Sequence, residues 1–332
     1  MAEPTIGKIR GLQEIATPSG IFIICAMDHR GSLKAMIEKE QPDDDVDYHE
    51  LVEYKLDLCE ALAPHSSAVL LDPNYGASQC ISSGFLPGHT GLLVSIEATG
   101  YESSTQGRIT TLLKNWSVGK IRRMGASAVK LLVYYRPDLR KTAETQLKTI
   151  NKAAEECLKH DIPLLVETVT YPVAPQDANK SEFAAIKPGL VIDTARQVTS
   201  LPIDVLKSEF PANLKYETDK SKLIDYCREV DEASRVPWVI LSAGVEYEAF
   251  RQEVEIACRA GASGFLGGRA IWQEALHFEE RKDRRKFLLT TAADRVKELA
   301  EIAARYAVPW YKKMGLKANH LATIPENWYI KY

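Results

Sequence analysis

Short apolar runs alternate with longer amphipathic stretches along almost the whole chain. The runs cover residues 21–27, 67–71, 91–96, 128–134, 163–169, 203–210, 238–241 and 264–266. Each is short enough for a β-strand and too short for a buried helix, and several are rich in β-branched residues. Between them the apolar positions recur at helical spacing. Ile6, Ile9, Leu12 and Ile15 predict a first helix over 5–15. Further helices are predicted over 46–62, 108–124, 140–159, 188–199, 219–234, 246–260 and 279–306. In the 108–124 stretch the apolar positions are Leu112, Leu113, Trp116 and Ile121.

Strands joined by helical crossovers predict a parallel sheet. Runs that are apolar on both faces predict a sheet covered on both sides. Eight such units predict an α/β fold of the (β/α)8 TIM-barrel class, capped by the helix over 5–15. Such barrels typically run to ~250 residues and reach beyond ~400 with insertions, so a chain of 332 residues fits. An open doubly wound sheet is the alternative. It would ordinarily carry a Gly-x-Gly-x-x-Gly turn after its first strand. Here that strand ends in Asp28-His29-Arg30-Gly31. No linker or internal repeat divides the chain. The expected organisation is one barrel domain over 1–307 and a C-terminal tail over 308–332. Residues 72–90 and 97–107, both following strand ends, read as long loops.

Composition narrows the functional classes. The chain is 45% hydrophobic and 26% charged, with a formal net charge of −3. Such a field gives no reason to expect nucleic acid or an anionic membrane as partner. The cysteines at 25, 59, 80, 157, 227 and 258 include no Cys-x-x-Cys pair and read as reduced core thiols. The first twenty residues hold Glu3, Lys8, Arg10 and Glu14, without the apolar core of a signal peptide. No segment has the length of a membrane span. A cytoplasmic enzyme is expected. The histidines show no ligand spacing, so neither a metal nor another cofactor is expected.

The candidate chemistry lies in the strands. Side chains alternate faces along a strand, so Ile203, Val205 and Lys207 share one face. Burial without a partner disfavours the charged form of an amine. A neutral amine in a pocket attacks carbonyls. The plain alternative is a lysine whose stem lies on apolar surface while its head reaches water. Lys130 and Glu167 stand in other apolar runs, where they could equally be a structural ion pair. Asp28 and Arg30 follow the first run, and Asp28 could be a helix cap. Ser242, Ala243 and Gly244 follow the seventh run, and Gly267, Gly268 and Arg269 the eighth. Singly, each has an ordinary structural reading. Together they converge on the carboxyl ends of the strands, where barrel active sites gather.

Loops after strands seven and eight commonly hold phosphate in these barrels. Small residues there let backbone N–H groups approach an anion, and Arg269 adds a forked charge. A phosphorylated substrate is therefore expected. Lys130 would lower the pKa of Lys207 by like-charge repulsion. Glu167 would shuttle protons during carbinolamine and iminium formation, its own pKa raised by burial. The iminium accepts the electron pair of a breaking carbon–carbon bond, as a metal does in a metal-dependent aldolase.

Several motifs carry a family resemblance. They are Ala26-Met27-Asp28-His29-Arg30-Gly31, Val129-Lys130-Leu131-Leu132-Val133-Tyr134-Tyr135, Glu167, Asp204-Val205-Leu206-Lys207, Leu241-Ser242-Ala243-Gly244-Val245 and Gly267-Gly268-Arg269-Ala270-Ile271-Trp272. From about residue 20 to about residue 300 the chain resembles the class I tagatose 1,6-bisphosphate aldolases. The resemblance implies a metal-independent (β/α)8 barrel that reversibly cleaves D-tagatose 1,6-bisphosphate to dihydroxyacetone phosphate and glyceraldehyde 3-phosphate. It implies Lys207 as the Schiff-base residue and Glu167 as acid and base. Lys130 and Asp28 would orient substrate hydroxyls and tune the amine. Ser242, Gly244, Gly268 and Arg269 would hold the phosphate of the dihydroxyacetone half. Barrels of this kind often self-associate, so a homo-oligomer is expected.

His29 stands where the tagatose enzymes are associated with glutamine. The segments 237–242 and 261–266 also resemble the sulfofructose 1-phosphate aldolases, which differ at the far end of the substrate. That far end would be read by the loops at 72–90 and 97–108, with Arg30 and Arg108. Other readings are a transaldolase-like Schiff-base barrel, a sugar-phosphate sensor without turnover, and a metal-dependent aldolase. The tail aromatics Trp310, Tyr311, Trp328, Tyr329 and Tyr332 have three possible places: the barrel, a neighbouring subunit, or the site mouth.

Overall fold

The computed structural model describes residues 4–40, 46–104, 107–173, 180–330 and 332. The strands are β1 Phe22–Ala26, β2 Ala68–Leu71, β3 Gly91–Ser95, β4 Glu102–Ser104, β5 Gly107–Ile109, β6 Ala128–Tyr134, β7 Leu164–Val169, β8 Val205–Ser208, β9 Trp238–Leu241 and β10 Gly264–Gly267. All but β4 and β5 form one closed parallel barrel in the order β1-β10-β9-β8-β7-β6-β3-β2. These eight strands are the eight apolar runs of the sequence.

The helices around the barrel are α1 Ile6–Ile15, α2 Gly31–Glu40, α3 Tyr48–Leu62, α4 Ala77–Ser82, α5 Val118–Arg123, α6 Arg140–Lys159, α7 Lys180–Val198, α8 Lys220–Ala233, α9 Tyr247–Arg259 and α10 Arg269–Trp272. A last helical stretch runs Arg281–Phe287, passes through a wider turn at Leu288–Ala292, and continues Ala293–Tyr306.

Two apolar layers result from strand alternation. Outward side chains join the helices in the larger layer. Inward ones, including Phe22, Ile24, Leu70, Leu93, Leu165 and Val239, fill the barrel. Leu12 and Ile15 of α1 plug the amino-terminal end, so the capping helix stands where the sequence puts it. Trp310 joins the same plug. Its N–H donates to Gly20 O at 2.9 Å, and Val308 N donates to Ala262 O at 3.0 Å. Of the three places open to the tail aromatics, Trp310 therefore takes the barrel, at its amino-terminal end. Trp328, Tyr329 and Tyr332 remain exposed. The β1–β10 seam is closed at Gly264: a Cβ there would stand 2.0 Å from Phe22 O, and φ is +130°.

Four connections differ from expectation. The helix over 108–124 is absent before Val118. Instead, Ala98 N donates to Thr111 O and Leu113 N to Ile96 O, extending the exit of β3. Asn115 then turns left-handed at φ 61°, and Ser117 caps the short α5 through Lys120 N. The loop over 97–107 contains β4, which pairs with β5 as an antiparallel hairpin; residues 105–106 lie outside the described residues. The loop over 72–90 contains α4. Helix α2 has no counterpart in the expected elements, because its Lys- and Glu-rich sequence buries only Leu33 and Ile37.

Helix α7 carries Pro188 in its interior rather than starting there. Its first turns are exposed or half-buried, so the intrahelical bond that Pro188 removes lies outside the core.

Candidate active site

The carboxyl ends of the barrel strands surround a cavity of ≈ 640 Å³. Its lining includes Asp28, Arg30, Lys130, Glu167, Lys207, Ser242, Ala243, Gly268 and Arg269. Strand register places the charged groups. Glu167 is paired with Lys207 across β7 and β8, and Leu132 with Glu167 across β6 and β7. Because Lys130 lies two residues before Leu132, it sits on the same inward face, one step deeper.

Lys207 Nζ lies 2.9 Å from Glu167 Oε1. Lys130 Nζ lies 3.0 Å from Glu167 Oε2, 2.7 Å from Asp28 Oδ2 and 2.6 Å from Glu97 Oε1. Glu97 Oε2 also accepts from Leu132 N at 3.2 Å. The two amines share one carboxylate, and Lys130 fills the space between three.

These pairings fix the charges. Burial alone would lower the Lys130 pKa, but Asp28, Glu167 and Glu97 hold it well above the ordinary lysine value. Lys130 is thus a permanent cation. Burial would raise Asp28, yet the Lys130 and Lys207 ammonium groups hold it well below the usual carboxylate range. Glu167 corrects an expectation. Burial does push its carboxyl up, but Lys130 and Lys207 outweigh that, and its pKa is lowered. The sequence could suggest burial of Glu167; it could not show two cations on its two oxygens. Burial pushes His29 down to about 3, opposed by Asp28 and reinforced by Arg269, Lys55 and Lys207. Its ring is neutral, edge-on to Trp272 at 5.2 Å.

The opposite wall is built for an anion. Residues 242–245 form a tight turn closed by Val245 N donating to Ser242 O at 3.0 Å. Ala243 and Gly244 take φ 46° and 76°. Among the described residues nothing accepts from the Ala243 or Gly244 N–H groups. Gly268 N donates to Ser242 Oγ at 3.3 Å, which ties the two phosphate-loop candidates together. The Arg269 guanidinium lies over Gly244: a Cβ there would stand 2.9 Å from Arg269 Cζ. Arg30 is buried, donates to Glu97 O at 2.8 Å through Nη2, and leaves Nε without a partner.

Two nominated residues stand apart from the lining. Gly244 lies behind Arg269. Gly267 faces the helix layer, where a Cβ would meet Ile271 and Phe250.

Glu97 and Glu209 line the cavity but were not nominated from sequence. Glu97 ends an apolar run just as Asp28 does. Glu209 lies two residues beyond Lys207, on its face, and accepts from Thr170 N at 2.6 Å and Thr170 Oγ1 at 2.7 Å. The alternation that singles out Lys207 could have found Glu209, whereas Glu97, just past its strand, reads as the start of a turn.

Among the described residues no group of three His, Cys, Asp or Glu side chains stands where it could hold a metal ion. No helix among them is long and apolar enough to cross a membrane.

Comparison with known proteins agrees with this architecture. A solved archaeal fructose 1,6-bisphosphate aldolase superposes with TM-score 0.56 at 22% identity, covering 88% of this chain and 97% of that one. The fructose-bisphosphate aldolase of Plasmodium falciparum superposes with TM-score 0.69 at 12% identity, covering 93% of this chain and 99% of that one. At these identities the likeness is one of fold. The tagatose 1,6-diphosphate aldolase of Lactococcus lactis subsp. lactis is 33% identical over 325 residues, 92% of this chain and 98% of the relative. The enzyme of the same name from Staphylococcus aureus strain JH9 is also 33% identical, over 324 residues, with the same coverage. The family model for the DeoC/LacD family aldolases matches residues 22–274, from the first barrel strand to just past the Arg269 helix, and the chain belongs to that family.

Proposed function

We propose that this chain is a class I aldolase that cleaves D-tagatose 1,6-bisphosphate, through a Schiff base on Lys207, to dihydroxyacetone phosphate and D-glyceraldehyde 3-phosphate. The observation that carries the proposal is Glu167 bridging two buried amines, Lys207 at 2.9 Å and Lys130 at 3.0 Å, on the floor of a cavity walled by Arg269. The names of the Lactococcus and Staphylococcus relatives support the choice of sugar.

The geometry suits the chemistry step by step. Glu167 takes one proton from the Lys207 ammonium, and the neutral amine attacks the C2 carbonyl. A second proton passes from the attacking nitrogen to the oxyanion to give the carbinolamine, and Glu167 then returns the first to its hydroxyl, which leaves as water and yields the iminium. The same carboxylate takes the C4 hydroxyl proton. The C3–C4 electron pair flows to the iminium nitrogen, releasing glyceraldehyde 3-phosphate and leaving an enamine. Protonation at C3 and hydrolysis of the iminium release dihydroxyacetone phosphate and restore Lys207.

Lys130 stays charged throughout. With Asp28 it orients the substrate hydroxyls, and its fixed charge offsets oxygen charge as it develops. Arg269, Ser242 and Gly268 hold the phosphate on C1, and Gly244, lacking a Cβ, lets the Arg269 guanidinium lie against the turn. Ala243 contributes to the same turn, Gly267 supports it from the helix side, and Arg30 faces the other end of the substrate.

The proposal extends to the whole protein: one barrel domain over 1–307 with its tail, self-associating and cytoplasmic, with no nucleic-acid partner. The described cysteines are all unpaired and buried, in keeping with a reducing compartment.

The test is a substrate panel with product identification, using tagatose 1,6-bisphosphate, fructose 1,6-bisphosphate and sulfofructose 1-phosphate, with and without chelator. Borohydride added with dihydroxyacetone phosphate should reduce a covalent adduct onto the peptide containing Lys207. Cleavage of the sulfonated sugar alone would reassign the substrate. Tight binding without cleavage of any of them would make the chain a sensor. Activity lost in chelator would remove the Schiff-base mechanism.

A further inference from the structure

Lys55 projects from α3, outside the barrel, yet its side chain is only 1% exposed. Its ammonium donates to the backbone carbonyls of Met27 and His29. It also pairs with Asp72 Oδ2 at 3.0 Å, and Asp72 is fully buried. Asp72 is itself fixed, because Oδ1 accepts from Asn74 N and Tyr75 N, each at 2.8 Å.

The two carbonyls gripped by Lys55 belong to the residues on either side of Asp28. Met27 O lies in the peptide just before Asp28 and His29 O in the peptide that leaves His29, so the grip pins the chain on both sides of Asp28 and restrains the direction of its Cα–Cβ bond. Asp28 in turn holds Lys130 at 2.7 Å. A buried ammonium is an expensive way to staple a loop, since apolar residues of similar volume often stabilise as well or better. Its placement on the backbone both before and after a site carboxylate needs a reason beyond packing.

We propose that Lys55, anchored by Asp72, is a positioning residue that sets the Asp28 carboxylate against Lys130 and thereby supports turnover without touching substrate. The proposal rests on the aldolase reading of the site. Lys55 acts at the exit of β1, through the backbone. The exit of β2, at Asp72, supplies the fixed point.

The experiment measures kcat and KM for ketose bisphosphate cleavage, and the rate of borohydride trapping of dihydroxyacetone phosphate, in wild type, Lys55→Met, Asp28→Asn and the double variant. Trapping does not depend on which ketose is cleaved. A wild type that traps nothing would therefore fail the aldolase reading, not this one. The expected result is a kcat lowered on the order of 100-fold in Lys55→Met with KM changed by less than about 3-fold, the signature of an interaction needed after binding. In the Asp28→Asn background the same change should lower kcat by less than about 3-fold, because residues acting through one another are not additive.

A folded Lys55→Met with near-wild-type kcat overturns the proposal, and so does full additivity. If Lys55→Met does not fold, Asp72→Asn is measured in its place by the same criteria. Failure of both to fold makes the pair a folding element and also overturns the proposal.

Discussion

Glu167 stands directly opposite Lys207 in the β7–β8 register, with Oε1 2.9 Å from the Lys207 ammonium. Adjacent parallel strands hold this pair, so neither side chain needs a loop to bring it into place. The other Glu167 oxygen rests on Lys130, which keeps its charge because Asp28 and Glu97 also face it. One carboxylate therefore links the Lys207 amine to a fixed cation.

Lys207→Met should lower kcat by at least about 1,000-fold, because no other described amine reaches the cavity without a saturating set of carboxylates. Mass spectrometry after borohydride treatment should show no adduct. An adduct that persists and maps to Lys130 would transfer the nucleophile's role to that residue.

Glu167→Gln should lower kcat by about 100- to 10,000-fold, the range for losing a positioned acid–base group. Binding of dihydroxyacetone phosphate, measured by calorimetry, should change little, because Arg269 and the 242–245 turn are intact. Lys130 keeps two carboxylate partners in this variant, so it is not left as a lone buried charge. Unchanged kcat would remove Glu167 from the proton path.

Gly244→Ala tests the anion wall. The added methyl would meet Arg269 Cζ at 2.9 Å, on a backbone with φ +76° that costs a non-glycine residue about 1 kcal/mol or more. The guanidinium must then move from the turn. KM for the phosphorylated ketose should rise about 10-fold or more while the borohydride adduct still forms at saturating substrate. An unchanged KM would separate Arg269 from phosphate binding.

The residues legible in the sequence are those that break a strong pattern. Lys130, Glu167 and Lys207 interrupt apolar strands, where a charge calls for a pocket, an ion pair or a head that reaches water. Glu97 breaks no pattern, because a polar residue just past a strand reads as the start of a turn. Its part is visible only once Leu113 and Thr111 bond back to Ile96 and Ala98 and hold that turn over Lys130. The same bonding explains the mistaken helix over 108–124. Leu112, Leu113, Trp116 and Ile121 match helical spacing, but the first two belong to an extended strand exit and only Ile121 lies in the helix. Lys55 and Asp72 were illegible for another reason. Each sits in an ordinary context, and their meeting depends on the packing of α3 against the exits of two strands.

Glu253, on α9, is 5% exposed, and burial pushes its carboxyl up to about 8, with Lys187 pulling it down and Glu209 pushing it up. A carboxyl raised on folding stabilises fully below its unfolded value, 4.5, and loses that contribution as pH rises through about 8. Glu253→Gln removes the titration while keeping the shape. Its stability relative to wild type should therefore improve between pH 5 and pH 8, on the order of 1–3 kcal/mol. Urea midpoints at the two pH values measure this. A gain that does not grow with pH would show that Glu253 is already ionised in the folded protein.

Trp310 is 1% exposed and closes the end of the barrel opposite Lys207, beside Leu12 and Ile15 of the capping helix. Trp310→Ala would leave a cavity there, and large aromatic truncations in cores cost about 3–5 kcal/mol. Chemical denaturation should show that loss. At a temperature well below the new midpoint, kcat should stay within about 2-fold of wild type, because the inward layers of Phe22, Ile24, Leu165 and Val239 separate the plug from the charged floor. A large fall in kcat with unchanged stability would mean that the tail reaches the cavity mouth in the working enzyme.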